Sequence, residues 1–322
     1  MQTARRRSVI ASLVLVAVMV FAWGLASAVL VAGSHSTSMG GTTAKMPTDL
    51  TQIETGMTKV LHPLWASKGV VGPGGSAIAV SYNWAGYAAV PSTGGSTFMV
   101  QGNWYVPTVT CSEPGATTEA FTVQWVGIDG YSDSDVEQAG SAEYCSGHGA
   151  APEYYTWWEF APFNSIQVAY TTTPNAYISA SVVYDPAEYV NGVQGVWNLQ
   201  LYDVDNGHDF LVTASDDTLG YSPNDLGAEC ISEAPAGDTQ TTSGLFPLAK
   251  YTPTTFYGCA AAIGTHFDGI GSFGSAATLY QIEQCNDPAC SKVLQSTGGV
   301  SKDSAAPQYG KSEFKLTWKG YD

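Results

Sequence analysis

Apolar and polar residues alternate with a period of two over most of the chain from Ser81 onward. The stretches "STFMVQGNWYVPTV", "AFTVQWVGI", "EYYTWWEFAP", "SIQVAYTT", "AYISASVVYD", "VWNLQLYDVDNGHDFLVTA" and "SEFKLTWKGY" are rich in β-branched and aromatic residues. Each is bounded by Gly, Pro, Asn or Asp. Asn206-Gly207 between two such runs is a hairpin signal. No window sustains a 3.6-residue apolar period over a helical length. The pattern predicts one all-β domain over residues 77–322, built as an antiparallel sandwich of two sheets.

The first part of the chain reads differently. Met1 to Arg7 is basic, an apolar run follows from Val9 to about Val31, and Ala26-Ser27-Ala28 offers small residues for cleavage. Residues 1–32 are thus an export signal or an N-terminal membrane anchor, and either places the remainder outside the cytoplasm. Residues 33–76, with "GSHSTSMGGTTAK" and "GVVGPGGS", have the composition of a linker or propeptide.

Charge narrows the function. The 322 residues carry 12 Lys and Arg against 28 Asp and Glu, and none of the basic residues falls between Lys68 and Lys250. Nothing here could displace counterions from phosphates, so nucleic acid is excluded as a partner. Carboxylates without cations repel one another, which raises their pKa values in the folded state and favours acidic surroundings. The six cysteines all follow the linker and read as disulfides in an exported chain. Cys285 and Cys290 flank the turn "NDPA" and form a local bridge, while spacing leaves the pairing of the other four open. No C-x-x-C pair is present and the five histidines are scattered, so no metal or other cofactor is expected.

The usual hydrolase machinery is missing. There is no G-x-S-x-G elbow, no H-E-x-x-H and no pair of Asp-Thr/Ser-Gly turns. What remains is carboxylates, amides and aromatic walls. "YYTWWEF" places Trp157 and Glu159 on one strand face, and "AECISEA" places Glu229, Ile231 and Glu233 on one face. Two glutamates beside an isoleucine fit either a wet cleft or the solvated side of an edge strand.

Taken in order, "NWAG", "WVGIDG" followed by the strand Gln138-Ala139-Gly140, "YYTWWEF" and "AECISE" resemble the glutamic peptidases, the eqolisins. The resemblance implies a lectin-like sandwich whose concave face is the substrate cleft. It implies a catalytic dyad of Gln138 and Glu233, with Glu233 as general base and acid and Gln138 as oxyanion donor. It also implies substrate contacts at Trp84, Trp125, Asp129 and Glu159. The expected protein is a secreted, acid-active endopeptidase, monomeric, acting on protein or peptide substrates. The sequence departs from the family pattern at Cys230, Ala234-Pro235, Tyr155 and Ala161, positions that bear on substrate preference more than on the dyad. Aromatic-plus-glutamate strands also suit a carbohydrate-binding or glycoside-cleaving sandwich, or a non-catalytic surface module. A glycosidase, however, has no use for Gln138.

Overall fold

The computed structural model describes residues 65–71, 77–92, 96–112, 119–163, 165–190, 193–220, 224, 226–237, 244–303 and 306–321. The export signal or anchor, and the linker as far as residue 64, lie outside the described residues. Residues 65–71, which composition groups with the linker, form a strand paired antiparallel to Ala77–Ser81.

The strands form two layers. The first runs Ala77–Ser81, Ala277–Cys285, Trp84–Pro91, Ala228–Glu233, Ala120–Asp129, Val136–Cys145, Glu153–Ala161 and Ile166–Thr171. Its first pair is parallel and the other pairs are antiparallel. The second layer runs His208–Ser215, Val193–Asp203, Tyr177–Val190, Thr97–Tyr105, Thr254–Ile263 and Lys311–Trp318. Val293–Thr297 pairs with a strand of each layer and joins them. The α-helix among the described residues is a single turn, Asp216–Leu219, capped by the Ser215 hydroxyl.

Between the layers lies a core of Tyr87, Trp104, Val126, Ile128, Phe160, Ile178, Trp197, Phe210, Phe256 and Phe314, all buried. The opposite face of the first layer carries a second buried group that includes Trp84, Val123, Trp125, Tyr155, Trp157 and Ile231. Alternation therefore works twice on the first layer, once towards the core and once towards the candidate site. The glycine of "NWAG" is explained here. Gly86 has φ +142°, and a Cβ on it would lie 2.2 Å from the Cys230 carbonyl oxygen of the neighbouring strand.

Disulfides join Cys111 to Cys145, Cys230 to Cys259, and Cys285 to Cys290. The last is the local bridge expected from "NDPA". Cys230–Cys259 ties the strand carrying both candidate glutamates to the second layer, closing a separation of 29 residues. Replacing both cysteines by alanine is expected to cost about 3 kcal/mol. For a domain of this size that lowers the melting temperature by roughly 10 °C. A shift under about 2 °C in a thermal melt would show that the bridge contributes nothing to stability.

Candidate active site

Ala228–Glu233 is hydrogen-bonded on both sides, to Trp84–Pro91 and to Ala120–Asp129. It is a central strand, which removes the solvated-edge explanation for its two glutamates. Register fixes their surroundings. Glu233 aligns with Trp84 and Val123, whereas Glu229 aligns with Ala88 and Gly127. Gly127 in turn aligns with Gln138, and Gln138 with Glu159. All of these residues except exposed stretches of the loops are buried, and Gln138, Glu159, Glu229 and Glu233 have no exposed surface.

Glu233 is held by two uncharged donors. Asn83 Nδ2 donates to its Oε1 at 3.1 Å and Trp125 Nε1 donates to its Oε2 at 3.0 Å. Asn83 is itself fixed, because the Ser81 hydroxyl donates to its Oδ1 at 2.9 Å and accepts from its backbone N–H. Asn83 is a site residue that reasoning from sequence passed over as such. Its signal was present as the first letter of "NWAG". Trp84 packs edge-on to Trp125, ring centroids 4.8 Å apart, so both tryptophans expected in the cleft meet over this carboxylate.

Trp125 also reaches the other end of the site. A Cβ at Gly127 would lie 2.8 Å from Trp125 Cζ3 and 3.2 Å from Gln138 Cβ, so the indole extends from Glu233 to the level of Gln138. Gln138 Nε2 donates to Glu159 Oε2 at 3.0 Å, and Gln138 Oε1 has no hydrogen-bond partner among the described residues. Glu159 thus orients the amide. Gln138 and Glu233 share the face but lie two strands apart and four residues out of register. That is roughly 16 Å between backbone positions.

Asp129, a substrate contact in the resemblance, holds a neighbouring loop in this structure. Its residue has φ +71°, and its carboxylate accepts the backbone N–H groups of Asn224 at 3.0 Å and Leu226 at 2.5 Å. Asp133 adds to this by accepting from Gly130 N–H and from the Asn224 side chain. Together they anchor the loop that leads into Ala228–Glu233. Sequence could not reveal this, because the loop's partner lies 95 residues away.

Burial dominates the titration of the carboxyls. It holds Glu143 and Glu229 well above the ordinary 4.5, with Asp129, Asp133 and Glu137 adding repulsion at Glu229. Glu143 sits on the core-facing side of its strand, where the Ser141 hydroxyl donates to it at 3.1 Å. Burial also raises Glu283. In each case the folded value exceeds the unfolded one. Their stabilising contribution is complete below about 4.5 and is lost as pH rises through the raised values. Asp287 is shifted the other way but is fully exposed. The domain is therefore expected to melt at a higher temperature near pH 4 than near pH 8. A scan showing the reverse order would refute this assignment of the buried protons.

Among the described residues, no group of three or more His, Cys, Asp or Glu side chains is arranged to hold a metal ion. A layered β-sandwich with buried carboxyls, an oriented glutamine and tryptophan walls on one sheet face is the framework of a glutamic-type peptidase. The sequence profile of the Peptidase A4 family matches residues 82–303, and the chain belongs to that family, the eqolisins. Two structures of scytalido-glutamic peptidase, each with a transition state analog, share the fold. Their TM-scores are 0.54 and 0.53 at 16% and 19% identity, over 74% of this chain and 98% of theirs. No curated protein matches the sequence significantly.

Proposed function

We propose that the chain is an exported endopeptidase that works in acid, with Glu233 as the general base and acid and Gln138 as the donor to the oxyanion. Glu233 takes a proton from the attacking water and returns it to the leaving amine. Gln138 supplies an N–H that does not titrate, directed at the charge that develops on the carbonyl oxygen. The observation that carries this reading is the setting of Glu233. It is a buried carboxyl on a central strand whose oxygens accept from Asn83 and Trp125, two donors that stay neutral at every working pH. Glu159 then serves to orient Gln138, and Trp84 and Trp125 serve as cleft walls. Export through residues 1–32, with the following linker as a removable segment, is part of the same proposal.

The test is direct. Secreted protein is incubated with a denatured protein substrate from about pH 2 to pH 7, with pepstatin present. Cleavage confined to the acidic range and unaffected by pepstatin is expected. Absence of cleavage throughout the range overturns the reading.

A further inference from the structure

Glu229 is a carboxyl of this face to which the dyad gives no task, and its surroundings are unusual. It is completely buried, yet neither carboxyl oxygen has a hydrogen-bond partner among the described residues. Leaving a buried polar group unpaired is destabilising, and such a group in a folded protein calls for an explanation. The carboxyl bends toward the loop end of the strand, where a Cβ on Gly227 would meet its Oε1 at 2.2 Å. Beside it stands an aromatic wall, since Tyr131 and Tyr280 stack with ring centroids 4.3 Å apart. Tyr280 is half-buried and Leu226 is exposed, so this corner lies just beneath the surface.

We propose that Glu229 is the floor of a specificity subsite that binds the side-chain amide of a glutamine or asparagine in the substrate. The proposal rests on the peptidase reading and adds a selectivity to it. A neutral carboxyl offers one O–H donor next to one carbonyl acceptor. A primary amide offers the complementary pair, an N–H and a C=O on the same side, so the two groups close a ring of two hydrogen bonds. A single trans peptide group cannot do this, because its N–H and C=O point in opposite directions. The two tyrosine rings suit a planar amide. Glu229 stands four residues along its strand from Glu233, or about 13 Å.

Burial and the surrounding charge both favour the protonated form of Glu229. The ionisable groups around it are Asp129 from the adjoining strand, Tyr131 and Asp133 from the following loop, Tyr280 across Trp84–Pro91 and, acting through the sheet from the core-facing side of Val136–Cys145, Glu137. All are acids or phenols. Burial is the larger influence and repulsion the second, and both hold the proton on Glu229 well above the ordinary glutamate range. Exclusion of water from Glu229 also disfavours a cationic side chain beside it, which would have to shed its hydration to reach the carboxyl.

The experiment compares kcat/KM for pairs of peptides that differ only in Gln against Leu or Lys, scanned over the positions on either side of the cleaved bond. At about pH 4 one position is expected to favour Gln over Leu about ten-fold, the effect of one net hydrogen bond. Glu229→Leu should bring that ratio to near one. Glu229→Gln still offers a donor and an acceptor, so it should keep the preference. In the wild type the preference should fade as pH rises and Glu229 ionises, whereas in Glu229→Gln it should not depend on pH. The inference is overturned if Glu229→Leu leaves the ratio unchanged, or if Glu229→Gln loses the preference with pH as the wild type does. It is also overturned if the position prefers Lys increasingly as pH rises. Wild-type cleavage of denatured protein, and its loss in Glu233→Gln, are read separately and test the peptidase assignment alone.

Discussion

Glu233→Gln is expected to abolish turnover, with a fall in kcat of roughly 10⁴-fold. The substitution is nearly isosteric. An amide in that place can still accept at one atom from Asn83 or Trp125, so the strand and the two tryptophans should stay where they are. What disappears is the group that accepts a proton from water and later delivers it to the amine. Both steps pass through the same carboxyl, so no other residue of the dyad can compensate. The variant should fold, melt within a few degrees of the wild type and bind peptide, while releasing no product. Measurable cleavage above about 1% of the wild-type rate would remove Glu233 from the role of base.

Gln138→Glu comes second in size, with an expected loss of roughly 10²–10³-fold in kcat, the usual effect of deleting one oxyanion donor. The structure adds a second reason. Gln138 Nε2 donates to Glu159 Oε2 at 3.0 Å, so a carboxyl at position 138 would face another carboxyl at hydrogen-bond distance. Either the two share a proton, or they repel and turn away from each other. In both cases the cleft loses an N–H aimed at the developing negative charge. The defect should deepen as pH rises and the pair ionises, which a pH–rate profile measures. A flat ratio to wild type from about pH 3 to pH 6 would mean that position 138 carries no charge-sensitive function.

The comparison of sequence with structure turns on particular strands. The faces of "YYTWWEF" could be read directly, and Trp157 and Glu159 do align with Gly140 and Gln138 on one side of the sheet. The faces of "AECISE" were equally legible, but the position of that strand was not. Composition allowed an edge, and the structure places it in the middle, bonded on each side to a strand that lies about 100 residues or more earlier in the chain. Asn83 was visible only as part of a motif. Asp129 stood in a motif too, yet the residues it holds are the backbone N–H groups of a distant loop.

The sequence by itself determined what depends on neighbours along the chain. The period of two assigned side chains to faces, turn residues bounded the strands, and the close spacing of Cys285 and Cys290 settled their bridge. Only the tertiary structure decided which strands lie side by side and in what register, because pairing is made between segments whose separation in sequence is arbitrary. That decision placed Glu233 beneath Asn83 and Trp125 and turned Gln138 toward Glu159. It also left Glu229 buried beside Tyr131 and Tyr280 with both oxygens unpaired. Two glutamates four residues apart in one short motif thus acquire different chemistry. The cause is the different long-range neighbours that register gives each of them.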